Sequence, residues 1–324
     1  LGKIFGPFFR SKKIIKNNLI KFDNSLNLEK IKKIKTEMWG NYGRIFFEYI
    51  LIVILFGLFK LLGYKISSEV GCFLGKIFGP FFRSKKIIKN NLIKFDNSLN
   101  LEKIKKITTE MWGNYGRIFS EYPYIANFRK GDLDKYIKIE NLEKLEEIKK
   151  GQPVIFISAH FSNFELMAMV IEKAGVNLSA IYRPLNNKMV NSIMEPLRKK
   201  YICKNQVKKG INGIRESLKF FKRGISVAIM IDQRVSEGEK INFFNHPALT
   251  TTIPAQFVKK FGCKIQPVHI ERYNNIYFRI TFDEQIIIKD NEDENLISIK
   301  INQWLEKKIR KNPSQWIWSH NRWK

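Results

Sequence analysis

With 324 residues, 44% of them hydrophobic, the chain can bury a sizeable core in one large domain or two. Its net charge of +28 suits an anionic membrane surface or an acidic protein partner, and the absence of zinc-finger spacing, basic-region heptads or an RNP-like aromatic strand argues against nucleic acid. Cys72, Cys203 and Cys263 are odd in number and far apart, which points to reduced thiols in a cytosolic setting rather than to disulfides or a metal site.

In chain order, the first feature is a repeat. Residues 1–49 recur at 74–122, and the copies differ only at Lys35/Thr108 and Phe47/Ser120. Two copies this similar mark a recent duplication or an assembly artefact, so residues 1–44 are read as an extra, dispensable copy. Between the copies runs an apolar segment whose uninterrupted centre is Tyr49–Phe59. With its flanks it approaches the length of a membrane-spanning helix, and Glu48 and Lys60 can snorkel, so residues 45–68 are expected to be a membrane anchor. A buried core helix is the alternative. The Lys/Arg of the first copy oppose its passage across a membrane. Either the segment is re-entrant or interfacial, or the first copy is not part of the natural protein. In the second copy Leu101, Ile104, Ile107, Met111, Tyr115 and Ile118 recur at helical spacing. That stripe either docks on the core or meets lipid. Residues 69–324 are expected to form the functional domain.

From about residue 140 strands and helices alternate. Helices are expected at Leu142–Lys149, Ser162–Ala174, Asn187–Tyr201, Gly210–Lys222, Ile253–Phe261 and Leu296–Lys311. Strands are expected at 153–158, Val176–Tyr182, Ile225–Ile231, Lys264–Ile270 and Ile276–Phe282. Apolar strands alternating with helices predict an α/β fold, a mostly parallel sheet covered by helices on both faces.

Ligands bind such sheets beyond the carboxyl ends of the strands. Three polar clusters fall there: His160, Arg183-Pro184, and Asp232-Gln233-Arg234. His160 is one of only four histidines, and Glu165 follows five residues later. A histidine beside a carboxylate can take a proton from a hydroxyl, the acid fixing the tautomer and stabilising the imidazolium. Ser162-Asn163-Phe164-Glu165 also fits a capping box, in which Glu165 only starts a helix. There is no P-loop, dinucleotide glycine fingerprint, HExxH or serine nucleophile elbow. A base without a nucleophile of its own suits direct attack by a substrate hydroxyl on an activated acyl group.

Four segments carry a family resemblance. His160-Phe161-Ser162-Asn163-Phe164-Glu165 resembles the HX4(D/E) motif of the late lipid A acyltransferases of the lauroyl/myristoyl type. Tyr182-Arg183-Pro184-Leu185-Asn186-Asn187 is similar to that family's YRPL-N segment, and Asp232-Gln233 with Phe243-Phe244 and Pro247-Ala248-Leu249-Thr250 to its DQ…FFG-P-A-T stretch. Pro313–Lys324 resembles its terminal P-x-Q-W-x-W-x-H-x-R-W-K, and Asn245-His246 departs from it where a glycine is expected. The resemblance covers about residues 50–324. It implies a glycerolipid-acyltransferase-like fold with an N-terminal hydrophobic anchor helix, in an enzyme of the bacterial inner membrane whose active site faces the cytoplasm. Such an enzyme transfers a fatty acyl chain from acyl carrier protein to a hydroxyl of a lipid A precursor and needs no metal or other cofactor. By the same resemblance His160 is the general base and Glu165 its partner, and Asn163, Arg183, Asp232 and Gln233 line the site or bind the anionic head group. A glycerolipid acyltransferase and a non-catalytic basic membrane-binding protein are the alternatives.

Overall fold

The structure, a computed structural model, describes residues 28–324. Most of the first repeat copy, residues 1–27, lies outside the described residues. The chain divides into two units. One comprises residues up to Leu55 together with Leu185–Glu195, and the other Phe56–Pro184 with Pro196–Lys324.

Helix α1 (Leu28–Leu62) carries the apolar segment. Its stretch Gly40–Leu62 is long and apolar enough to cross a membrane, and almost none of it is buried. It ends six residues before the expected limit, because Gly63 follows with φ 76° and ψ 157°, a backbone region that essentially only glycine enters. In the first unit Asn187 donates to the Ile45 carbonyl and to Glu48, and its Oδ1 accepts from the amides of Met189 and Val190. It thereby caps the helix that starts at Lys188.

In the second unit α2 (Tyr64–Phe82), α3 (Lys85–Phe95) and α4 (Leu101–Glu121) precede the sheet. Helices α2 and α4 meet backbone to backbone. A Cβ on Gly71 would fall 2.1 Å from Ser120 Oγ, one on Gly75 2.3 Å from the Trp112 carbonyl oxygen, and one on Gly116 1.9 Å from the Gly71 carbonyl oxygen. This explains one of the two differences between the repeat copies. Position 120 faces Gly71 and has room only for a small side chain, whereas Phe47, its counterpart in α1, is 67% exposed. The first copy is helical from the first described residue, Leu28, onward, as its counterpart is from Leu101. The side chains then have opposite surroundings: Arg44 is 68% exposed and Arg117 only 7%. Local propensity makes the helix, and tertiary contacts decide which face is buried.

After a short helix α5 (Ile125–Lys130) come β1 (Ile137–Glu140), α6 (Glu143–Lys150), β2 (Ile155–Ser158), α7 (Glu165–Lys173), β3 (Leu178–Tyr182), α8 (Lys188–Tyr201), β4 (Asn205–Lys208), α9 (Ile211–Lys222) and β5 (Ser226–Met230). A hairpin follows, β6 (Glu239–Phe243) and β7 (His246–Thr250), then α10 (Ile253–Phe261), β8 (Ile265–Tyr273), β9 (Tyr277–Phe282) and α11 (Glu294–Lys311). The sheet order is β1-β9-β8-β2-β5-β3-β4, parallel throughout except for β8 against β9. This is the expected helix-covered, mostly parallel α/β sheet. All four residues of β2 are buried. The hairpin turns through Phe244 and Asn245, both with positive φ, so the departure from glycine is accommodated by an asparagine that tolerates the left-handed region. His246 is exposed at the start of β7.

Candidate active site

The site is built by strand register. Neighbouring parallel strands β2 and β5 align Ser158 with Met230. Two residues further along each, His160 and Asp232 therefore emerge side by side at the carboxyl edge of the sheet. His160 Nδ1 lies 2.8 Å from Asp232 Oδ1, and the His160 amide donates to Asp232 Oδ2 at 2.9 Å. Trp316 Nε1 donates to the same Oδ2 at 3.0 Å. Asp232 is fully buried, which by itself would raise its pKa, but the His160 charge and these donors outweigh burial and hold it below the usual aspartate value. Burial likewise would lower the His160 pKa; the facing carboxylate outweighs it and raises it. An ionised Asp232 makes Nδ1 the protonated nitrogen and leaves Nε2 with a lone pair. Nε2 has no hydrogen-bond partner among the described residues, and the side chain is 20% exposed.

The carboxylate on His160 is thus not the one that the five-residue spacing suggests. Glu165 is engaged by Arg198 of α8, which donates from Nε to Oε1 at 2.8 Å and from a terminal nitrogen to the same oxygen. The forked guanidinium occupies the carboxylate, so Glu165 acts on His160 only as a nearby negative charge. The capping box does not form either. Ser162 has φ 42°, its buried hydroxyl has no partner, and its amide donates to the Gln315 carbonyl. That left-handed residue delays the helix to Glu165.

Asn163 is 2% exposed, and its Nδ2 donates to Glu121 at 3.1 Å. Glu121 is fully buried, accepts from Ser68, and is gripped by both terminal nitrogens of Arg272 at 2.6 and 3.0 Å. Asn163 therefore ties the histidine loop to α4 from behind rather than facing a ligand. Gln233 is half-buried, with no side-chain hydrogen bond among the described residues. Arg183 follows β3, and the register Tyr182 to Lys208 places Lys209 beside it at the end of β4. Lys209 has its pKa lowered by burial and then by the Arg183 charge, and neither cation has an ion-pair partner among the described residues. The strand ends thus bring together His160, Asp232, Arg183 and Lys209, an imidazole base beside a concentration of positive charge.

The family model described as "Bacterial lipid A biosynthesis acyltransferase" matches residues 42–324. The chain belongs to that family. Among curated relatives, this acyltransferase is 26% identical over 272 residues to the lipid A biosynthesis palmitoleoyltransferase of Escherichia coli (strain K12), covering 80% of this chain and 87% of the relative. It is 24% identical over 195 residues to a lipid A biosynthesis acyltransferase of Haemophilus influenzae, covering 59% and 62%. A solved structure to which it is similar is the 1-acyl-sn-glycerophosphate acyltransferase PlsC from Thermotoga maritima, at 16% identity and a TM-score of 0.36, covering 81% of this chain and 95% of that one.

The terminal segment of the acyltransferase acts as a clamp around Asp232. Gln315 exchanges two hydrogen bonds with the Arg272 backbone, and Asn91 donates to the carbonyls of Trp318 and His320. His320 Nε2 accepts from the Arg234 amide at 3.0 Å; burial pushes its pKa down to about 4, so it stays neutral and can accept. Fully buried Arg322 donates to the Leu249 carbonyl and to Thr250 Oγ1, and burial pushes its pKa down to about 10. Sequence reasoning missed Trp316, Glu121, Arg198 and Lys209 as parts of the site. Only the three tryptophans near the chain end offered a signal, since the other three residues are joined to the site by long-range pairing.

Proposed function

We propose that this acyltransferase moves a fatty acyl chain from acyl carrier protein to a hydroxyl of a lipid A precursor, with His160 as the general base. The hydrogen bond that His160 Nδ1 donates to Asp232 carries the reading. The acceptor hydroxyl gives its proton to His160 Nε2 while its oxygen attacks the thioester carbonyl. The C–S bond then breaks, and the imidazolium proton goes to the departing thiolate, leaving an ester and a carrier thiol. Asp232 keeps the ring in its reactive tautomer and stabilises the imidazolium. Glu165, held by Arg198, adds negative charge that favours the same protonated intermediate. Arg183 and Lys209, with Gln233 beside them, receive the anionic head group of the acceptor.

Helix α1 anchors the enzyme in the inner membrane, and the free thiols of Cys72, Cys203 and Cys263 suit a cytoplasmic site. The test is to incubate purified full-length protein with acyl-loaded carrier protein and a lipid A precursor and to weigh the lipid by mass spectrometry. A gain of one acyl chain, absent with His160→Ala of equal folded content, is expected. No gain, or a gain that survives His160→Ala, overturns the reading.

A further inference from the structure

Helix α2 has two unlike faces. One is the glycine and serine face locked against α4. The other carries Phe73, Ile77 and Phe81, spaced at four and eight residues so that they share one side of the helix, and Phe78 and Phe82 add apolar surface further round its C-terminal end. All five are exposed, Phe81 to 83% and Phe82 to 75%. A row of four exposed phenylalanines on one short helix is more than scattered surface hydrophobicity in a soluble protein. The apolar surface does not stop at the helix. Leu61, the last turn of α1, is 85% exposed, and only Gly63 separates α1 from α2. Charge frames the row: Lys76 lies beside it on α2, Arg83 follows the helix, and Lys85, Lys86 and Lys89 come next on α3, all of them exposed.

We propose that the outer face of α2 is a second membrane contact, lying in the plane of an anionic lipid surface next to the point where α1 leaves it. An exposed aromatic face rimmed by Lys and Arg is the composition of helices that rest at the interface rather than span it. Spanning is opposed by the other face. Glu69 of α2 is paired with Arg117 of α4 at 2.7 Å, and Ser68 bonds Glu121 at 2.7 Å, so hydrocarbon on all sides would surround buried charges. The inference rests on the membrane attachment proposed above, and it adds the orientation. With α2 flat on the lipid and α4 packed on its inner side, the helix that supplies Glu121 to the histidine loop is held at the bilayer surface, where a lipid acceptor resides.

The experiment places a nitroxide on the full-length chain in nanodiscs of phosphatidylethanolamine and phosphatidylglycerol. Phe78→Cys and Phe81→Cys report α2, Val53→Cys reports α1, and Glu147→Cys on exposed α6 is the aqueous reference. All are made in a Cys72→Ala background, because Cys203 and Cys263 are buried. Collision with oxygen relative to a water-soluble nickel chelate is expected to be several-fold higher at 78 and 81 than at 147, and lower at 81 when the discs hold only phosphatidylcholine. A ratio at 78 and 81 equal to that at 147, or protection from both reagents as under a protein cover, overturns the proposal. If 53 reads as lipid-exposed in that case, only this inference falls; if 53 also reads as aqueous, the membrane attachment falls with it.

Discussion

Replacing Asp232 with asparagine separates the two carboxylates near His160. Oδ2 of Asp232 accepts from the His160 amide and from Trp316, and Oδ1 faces His160 Nδ1. An asparagine has one oxygen. Placed where Oδ2 was, it keeps two donors satisfied, and its NH2 then points at Nδ1. The ring must turn Nδ1 into the acceptor and carry its proton on Nε2, which is the nitrogen that has to receive the substrate proton. An asparagine in the equivalent position of a serine protease triad lowers kcat by about 10⁴-fold through the wrong tautomer, so a loss of about 10³–10⁴-fold, roughly 4–5 kcal/mol of transition-state stabilisation, is expected here. The pH profile moves as well. The wild-type rate should rise as pH passes upward through the raised His160 pKa, because the neutral ring is the base. In Asp232→Asn the residual activity should rise at lower pH, since the carboxylate that raised the pKa is gone. The assay is steady-state acyl transfer across pH 5–9, a range of roughly two units either side of the ordinary histidine value, with folding checked by thermal melting. Activity within about tenfold of wild type, or an unmoved alkaline-going limb, would refute the tautomer argument.

Glu165→Gln should lower kcat by less, about tenfold to a hundredfold, because His160 keeps its tautomer and loses only a neighbouring charge; stripping the half-hidden Arg198 of its carboxylate should cost about 3–5 kcal/mol, read as a lower denaturation midpoint. Ser120→Phe, which installs the residue of the first repeat copy, should fail to pack against Gly71 and lower the Tm, whereas Phe47→Ser should leave it unchanged. Arg183→Ala with Lys209→Ala should raise KM for a phosphorylated acceptor at least tenfold with little change in KM for the acyl donor, and the effect should shrink in high salt. Arg322→Ala should cost about 3 kcal/mol of stability by leaving the Leu249 carbonyl and Thr250 unpaired in the core, measured by denaturant unfolding.

The sheet was legible where strands are central and apolar. Strands β2 and β5 announce themselves as continuous hydrophobic runs, and from their ends His160 and Asp232 could be placed on one rim. The edge strands β1 and β4 were not legible, since Ile137–Glu140 and Asn205–Lys208 mix charge and polarity as half-exposed edges do. The hairpin β6–β7 escaped because its turn has no glycine. Within the site, the proximity of Glu165 in sequence suggested a pairing that register assigns to Asp232, 72 residues away. Register is non-local, and the competing partner Arg198 arrives from a different helix. The repeat hid the importance of Glu121 for the same reason: its twin Glu48 lies at the same repeat position and is half exposed.

The most direct measurement on the proposed base is nitrogen NMR of the full-length protein labelled at its four histidines, with His160 assigned by comparison with His160→Gln. A His160 that titrates above the ordinary value of about 6.5 and, once neutral, carries its proton on Nδ1 is the predicted result. A neutral ring protonated on Nε2, or a titration below that value, would contradict the pairing with Asp232 and the chemistry derived from it.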